Sequence, residues 1–436
     1  MIMKNFEPMS VAEIVDTLFP QNNPFRWVAF DGSTTGPEDA THTVRVTSPE
    51  GLSYIATHPG DVGLARAWVT GGLQVEGEHL AHPYGVFDDL RTLYNNFRRP
   101  DAGTTLKIAR SLKSMGAIQI QPIPEAEQAS WLERRVRQGL SLHSKQRDAE
   151  VISSHYDVGN DFYELFLGES MAYTCAYYPT PDASLDEAQE NKFRLIFEKM
   201  HLKPGDRHLD VGCGWGSMVR YAARQGVKSL GVTLSKEQAE WAQAKIEEEG
   251  LADLAEVRHL DYRDVTETGF DGISSIGLLE HIGVDNYASY FQFLADKLRP
   301  GGVMVNHCIT YPDNHKTDKG GFMNRYIFPD GELTGSGTII KNMQDNGFEV
   351  FQEENIRLDY MRTLHDWCEN LKGNWDEAVA QVGENTAKLW GMYMAGSEWG
   401  FEHDVVELHQ VVGIKLDEDG TRAGTPERRW WNDSVF

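Results

Sequence analysis

Four side chains carry the strongest chemical potential in this 436-residue chain: Cys175, Glu280, His307 and Tyr360. Each is polar or ionisable, and each sits in an apolar or aromatic stretch. Cys175 lies within Tyr173-Thr-Cys-Ala-Tyr-Tyr, and His307 comes late in the apolar run Val303-Met-Val-Asn-His-Cys-Ile. A buried group of this kind needs a partner. Cys, His and Glu together ligate zinc. Cys175 with His307 as base would make a nucleophile. Alternatively, hydrogen bonds within the protein satisfy each group and no reaction is served. Residue types alone leave all three readings open.

A second constellation speaks to a ligand. Residues 208–217 read His-Leu-Asp-Val-Gly-Cys-Gly-Trp-Gly-Ser. This is a short apolar strand, a turn with Gly212, Gly214 and Gly216, and a helix opened by Ser217. Glycine lets the backbone approach a ligand closely, because no Cβ intrudes. A dinucleotide fingerprint has Gly-x-Gly-x-x-Gly at this corner, so the third glycine is displaced here. An S-adenosylmethionine (SAM) site uses the same strand–turn–helix corner with no pyrophosphate to cradle. The departure favours SAM over NAD.

The elements around that turn alternate. Strands are expected at 207–211, 229–234, 255–260, 270–276 and 303–309, and helices at 193–200, 218–224, 236–248 and 287–297. Ser235 caps the third of these helices. The pattern predicts an α/β fold with a doubly wound, mostly parallel, Rossmann-like sheet, and the glycine turn makes it a SAM-methyltransferase sheet in expectation. Ligands in such sheets bind at the carboxyl ends of the strands. Asp210 and the glycine turn, Thr233-Leu234 with Gln238, Asp261-Tyr262-Arg263, Leu279-Glu280-His281, and His307 with Ile309 all fall there. Backbone amides, an amide side chain, an aromatic face and carboxylates at successive strand ends make a nucleoside-sized site. Residues 1–100 predict a smaller α+β domain, with a strand at 43–48 and a helix from Leu64. Residues 101–150 predict a basic helical connector, 151–415 the catalytic domain, and 416–436 a polar tail.

The net charge is −25, which excludes nucleic acid as the main partner. Residues 91–147 run against this trend, with eleven Lys/Arg and four Asp/Glu. Such an island steers an anionic surface, or is simply a solvated helical face. Arg98, Arg99, Arg134, Arg135 and Arg137 are the candidates to meet anionic head groups. No apolar run reaches membrane-spanning length, the N-terminus has no signal-peptide core, and four scattered cysteines form no zinc pattern. The expectation is a cytoplasmic protein, peripheral on the inner face of the membrane. Homo-oligomerisation stays open.

The order of motifs resembles the cyclopropane fatty acid synthase family. The carriers are His155-Tyr-Asp-Val-Gly-Asn-Asp-Phe-Tyr, Tyr173-Thr-Cys-Ala-Tyr, Leu209-Asp-Val-Gly-Cys-Gly-Trp-Gly, Gly231-Val-Thr-Leu-Ser, Glu280-His-Ile-Gly, Tyr326-Ile-Phe-Pro and Asp359-Tyr-Met-Arg-Thr-Leu-His-Asp-Trp. Met394-Ala-Gly-Ser and Phe401-Glu extend the likeness, which runs from about 150 to 415. It implies SAM as methyl donor and the cis double bond of an acyl chain, usually on a membrane phospholipid, as acceptor. By resemblance Tyr173, Thr174, Gly212, Gly214, Gly216, Thr233, Leu234, Gln238, Asp261 and Tyr262 contact SAM. It also implies a bound bicarbonate held by Cys175, Glu280, His307, Ile309 (through its backbone) and Tyr360, and no metal. The implied reaction passes through a carbocation on the chain, deprotonated by that bicarbonate to close a cyclopropane ring. Two departures stand out. Pro329-Asp330-Gly331 replaces the common Pro-Gly-Gly, and Leu333-Thr-Gly replaces Leu-Pro-Ser. The stretch Pro59-Gly-Asp-Val-Gly-Leu-Ala-Arg-Ala-Trp-Val-Thr-Gly-Gly is similar to actinobacterial members, some of which make a 10-methylene branch for a separate reductase.

Overall fold

The computed structural model describes residues 6–124, 127, 143, 145, 147, 159–317, 320–417 and 419. The expected helix at 131–137 with Arg134, Arg135 and Arg137, the His155–Val158 motif and nearly all of the tail lie outside these residues. The chain divides into two compact units. One comprises Met1–Glu133, Gly320–Ile327 and Leu371–Gly396, and the other Arg134–Lys319, Phe328–Asn370 and Ser397–Phe436. This division crosses the sequence-based boundaries, because two short late segments belong with the N-terminal part.

The first unit is the smaller α+β domain. It orders α1 (Val11–Leu18), β1 (Arg26–Ala29), β2 (Thr34–Thr35), β3 (Thr43–Val46), α2 (Pro49–Thr57), α3 (Asp61–Val69), β4 (Leu73–Glu76), α4 (Tyr84–Asn95) and α5 (Ala102–Ser114). The strands form one sheet in the order β2-β1-β3-β4. Phe25, Val44, Val46, Ala67 and Val86 make its core. A buried ion cluster explains why 320–327 belongs here. The Arg66 guanidinium forks onto Glu127 with two bonds of 2.7 Å, and the same carboxylate accepts from the Tyr326 hydroxyl at 2.9 Å. A buried arginine–carboxylate pair is tolerated only when its lone pairs are filled in this way.

The second unit is built on a seven-stranded sheet. Its elements are α6 (Asn160–Leu167), α7 (Leu185–Lys199), β5 (Arg207–Val211), α8 (Ser217–Arg224), β6 (Lys228–Thr233), α9 (Lys236–Glu248), β7 (Ala255–His259), β8 (Phe270–Ile276), α10 (Tyr287–Lys297), β9 (Leu298–Thr310), α11 (Ser336–Asp345), β10 (Phe348–Asn355), α12 (Arg357–Gly373) and β11 (Glu407–Lys415). Strand order is β10-β11-β9-β8-β5-β6-β7. The five strands β5 to β9 pair in parallel, and β11 and β10 add antiparallel. The chain winds outward from β5 through β6 to β7, then returns to the other side of β5 for β8 and β9. The carboxyl ends of β5 and β8 therefore flank a crevice. Ser235 caps α9 by accepting from the Gln238 N–H, as its sequence position predicts.

Leu209, Val211, Ile273, Phe291, Leu294 and Met304 pack one face of the sheet. Val303, Val305, Ile196 and Met200 lie in the opposite layer. Within the described residues no helix is long and apolar enough to cross a membrane.

Candidate active site

A cleft opens at the predicted strand ends and encloses about 930 Å³ of empty space, its open mouth included. Gly212, Gly214, Thr233, Leu234, Gln238 and Tyr262 of the expected cofactor set line it. Gly214 has φ 54° and open space where a Cβ would point, so its backbone is bare toward a ligand. The Thr233 hydroxyl donates to Gln238 Oε1 at 2.9 Å, which fixes the amide. Gln238 Nε2 is buried and has no partner. Tyr262 is held by edge contacts to Tyr290 and Phe293, with ring centroids 5.3 and 5.4 Å away. An unsatisfied donor, an aromatic wall and an exposed glycine backbone fit the adenosyl and amino-acid parts of SAM.

Five expected contacts lie outside the cleft lining, and each has a physical reason. Gly216 is left-handed, with φ 74°, and a Cβ there would sit 3.0 Å from the Ala242 methyl group. It is a glycine so that α8 can start close against α9. Asp210 is buried within the sheet and accepts the Ser274 hydroxyl at 2.5 Å. Burial raises its carboxyl well above the usual range. Asp261 accepts Arg263 Nε and Nη2 at 2.8 and 2.6 Å, so its carboxylate is already forked. The Tyr173 ring packs against Tyr163 and Trp367. Thr174 Oγ1 accepts from the Lys192 ammonium at 2.9 Å, and its methyl abuts Gly277 of the cleft wall.

Sequence reasoning missed part of the lining. His143, Gly277, Leu278, Ile282, Phe328, Pro329 and Asp330 all contribute. Arg263 and His281 line it as well, as their strand-end segments predict. No local signal marks His143. Asp330 explains its own departure from Pro-Gly-Gly. It keeps the left-handed backbone a glycine would adopt, at φ 66°, and Arg147 grips both of its oxygens at 2.7 Å. Aspartate is among the residues that tolerate this conformation.

The set of Cys175, Glu280, His307 and Tyr360 is partly assembled. Glu280 follows β8 in the turn that supplies His281 to the cleft. Its Oε1 accepts from the Ile309 N–H at 2.8 Å, and its Oε2 is buried without a partner. Burial lifts the carboxyl to about 7. His307 is wholly buried on β9, its Nδ1 bonded to Gln410 at 3.1 Å and its Nε2 unpartnered. Burial and the charges of Lys192 and Lys199 hold the imidazole neutral. Thus the Ile309 N–H, an expected ion ligand, is already taken by another expected ligand. Cys175 is fully buried, points its thiol at the Ala176 carbonyl at 3.0 Å, and is pushed far up by burial. A thiol of that kind does not act as a nucleophile. Nor do ligand atoms of Cys175, Glu280 and His307 converge to metal-binding distance among the described residues. Tyr360 is buried against Phe401 at 4.5 Å between centroids, with Trp367 edge-on.

Comparison with known proteins follows this geometry. The family model described as mycolic acid cyclopropane synthetase matches residues 143–411. The chain belongs to this family. A probable fatty acid methyltransferase of Mycobacterium tuberculosis is 54% identical over 425 residues, 97% of this chain and 98% of its own. The cyclopropane-fatty-acyl-phospholipid synthase of Escherichia coli is 36% identical over 65% of this chain and 72% of its own. A mycolic acid cyclopropane synthase solved with SAH and CTAB superposes with TM-score 0.57 at 30% identity, over 61% of this chain and 98% of its own. As a cyclopropane synthetase family member, the protein is a SAM-dependent methyltransferase, and its sheet is the methyltransferase sheet that the motif order implied.

Two outcomes test the site. Gln238→Leu should weaken SAM binding by about tenfold, the worth of roughly one hydrogen bond, measured by calorimetry with the thermal midpoint as a fold control. Unchanged affinity would remove Gln238 from the site. Glu280 makes stability depend on pH. Its folded carboxyl titrates near 7 against an ordinary value of 4.5, so the folded state holds the proton more tightly. Stability is greatest below pH 4.5 on this account and falls as pH rises toward 7. Urea unfolding of Glu280→Gln should lose that share of the decline, at most ~3 kcal/mol.

Proposed function

We propose that the enzyme transfers a methyl carbon from SAM to the cis double bond of an unsaturated phospholipid acyl chain and forms a cyclopropane ring. The observation that carries this reading is the pair of buried, unpartnered polar atoms, Glu280 Oε2 and His307 Nε2, beside the cofactor cleft. A simple methyl transfer to a heteroatom nucleophile needs no buried anion site. Addition to an olefin does, because the double bond is a weak nucleophile and the resulting carbocation must lose a proton.

SAM supplies a sulfonium-activated methyl group when bound. The olefin π pair forms a bond to that methyl carbon, the methyl–sulfur bond breaks, and positive charge is left on the neighbouring chain carbon. Loss of a proton from the new methyl closes the ring. Glu280, titrating near 7, presents an O–H for much of its time. His307, neutral, presents its other ring nitrogen. Two donors of this kind suit a bicarbonate, which would supply the base there. Burial excludes water that would otherwise capture the cation.

A specific observation favours a second product. The relative that matches 97% of this chain is named a fatty acid methyltransferase, not a cyclopropane synthase. A hydride shift before proton loss would give a methylene branch, for which a separate reductase is the natural partner. Incubation with SAM and oleoyl phospholipid vesicles, followed by mass spectrometry of the derivatised fatty acids, separates the outcomes. A ring-containing product supports the first reading, a 10-methylene product the second, and no added carbon defeats both.

Access to such a substrate needs a membrane-facing surface. In the first unit, Arg91, Arg98, Arg99, Lys107, Arg110 and Lys113 are all exposed between residues 91 and 120, with Asp101 the only acid there. Tyr94 is 81% exposed and Ile120 90%, and Phe97, Leu106 and Ile118 are exposed too. Basic and large apolar side chains interleaved on an acidic protein suit an anionic bilayer. The triple reversal Arg98→Glu, Arg99→Glu and Lys107→Glu should lower partition onto phosphatidylglycerol vesicles at least tenfold, since each basic residue near such a surface is worth about 1 kcal/mol. Flotation at unchanged thermal midpoint checks this, and unchanged partition would refute the surface.

A further inference from the structure

His307 ends a row of polar groups that crosses three strands. In register, Glu354 of β10 pairs with Gln410 of β11, and Gln410 pairs with His307 of β9. Above the row lies Lys199, the last residue of α7, only 1% exposed. Its ammonium donates to Glu354 Oε2 and to Gln410 Oε1, each at 2.5 Å. Glu354 Oε1 in turn accepts from the Tyr177 hydroxyl at 2.9 Å. Gln410 Nε2 completes the chain to His307 Nδ1 at 3.1 Å.

Donor logic makes this row directional. An ammonium can only donate, so it must face the amide oxygen of Gln410. The amide NH₂ then faces His307 and can only donate. Nδ1 must accept, and the ring proton of the neutral imidazole sits on Nε2. That is the buried atom left without a partner. We propose that Lys199 and Gln410 are positioning residues that hold His307 as its Nε2–H tautomer, so that it presents a hydrogen-bond donor to an acceptor bound beside Glu280. The proposal rests on the reading of that site as a binding place for a small oxyanion. It adds what the motif residues alone do not contain: two residues remote from the cleft that decide which way His307 can bond.

The arrangement is costly without such a task. Lys199 gives up solvent, and its proton affinity is lowered by burial. An apolar pair at 199 and 410 would fill the same space without that cost. His307 is thereby a donor and not a base, because burial, and after it the charges of Lys192 and Lys199, disfavour a second proton on the ring. The base in this site is then Glu280 or the bound ion, not His307.

The test reads the tautomer directly and turnover separately. The full-length protein is labelled with ¹⁵N-histidine, and the His307 resonances are assigned by their loss in His307→Gln. In the wild type, Nδ1 should carry the chemical shift of an unprotonated nitrogen and Nε2 that of a protonated one. A proton on Nδ1 overturns the proposal, whatever the Gln410 and Lys199 variants do. Gln410→Glu keeps an acceptor for Lys199 but turns a second oxygen toward His307. It should move the proton to Nδ1 and lower kcat about tenfold or more, with KM for SAM held within about twofold. Lys199→Met should also lower kcat, and Lys199→Arg should restore most of it. Wild-type kcat in Gln410→Glu overturns the proposal. If the wild type adds no carbon to oleoyl vesicles, the functional reading fails while the tautomer measurement still decides this one.

Discussion

The reversal of winding between β5 and β8 is the constraint from which the site follows. Helices α8 and α9 return the chain on the way out to β7, and α10 returns it between β8 and β9 on the other side. None of these crossovers covers the carboxyl ends of the two central strands, which leaves the crevice there. The chain answers this locally in two ways. After β5 it makes a turn with positive-φ glycines, where Gly214 bares its backbone and Gly216 lets α8 start against Ala242. After β8 it makes a tight 3-10 turn at Leu279–His281, which puts Glu280 inward against the Ile309 N–H. The glycine turn and the Glu280 turn are thus two sides of one topological event.

Burial of polar groups then separates structural from chemical residues. His208 is as buried as His307, yet both of its nitrogens are bonded, to Ser229 at 2.8 Å and Ser274 at 2.9 Å. His307 keeps one nitrogen empty. Asp210 and Glu280 are both raised by desolvation, but Asp210 is satisfied by Ser274 and shares the interior with Lys192, while Glu280 keeps an empty oxygen. Leaving a buried polar atom unpaired costs about 1–3 kcal/mol. Two such atoms together consume a large part of the ~5–15 kcal/mol that holds a domain folded. A bound acceptor that engages both would recover that free energy, which is why the pair carries more weight than either residue.

The alternation of strand and helix was legible because each element of the parallel sheet has its own period and its own stop. Strand β5, helix α9 with Ser235, and strand β8 are read from the sequence almost to the residue. The antiparallel edge was not. β10 and β11 are separated by helices 357–402, and nothing local says that Gln410 pairs with His307. The same limit hides the first unit, where 320–327 joins through Arg66 and Glu127. Within the site, strand-end residues were legible as a set, but roles within the set were not. Asp210, Asp261 and Gly216 stand at the right positions and are engaged by Ser274, Arg263 and Ala242. Only the partner across the fold distinguishes a residue that faces a ligand from one that supports the wall.

The same contrast bears on how one site can favour a ring or a branch. Both outcomes in the proposed reaction share the first bond and the cation, and differ only in whether a proton leaves before a hydride moves. Basicity does not separate them, since the same base would serve both. Timing does: the proton leaves the new methyl in both, so a base already lying against that methyl takes it before the hydride moves and closes the ring, whereas a base held off it leaves time for the shift and a methylene. The residues that orient the base therefore outrank those that set its strength. Glu280 is tied to β9 through the Ile309 backbone, and His307 is tied to α7 through Gln410 and Lys199. Both tethers run to regular secondary structure and not to loops. A base held from two such directions has little freedom to follow a migrating charge. On the proposed reading this rigidity would favour prompt removal of the proton from the methyl group and hence ring closure, and a branching enzyme on this fold would have to place the chain differently against the same base.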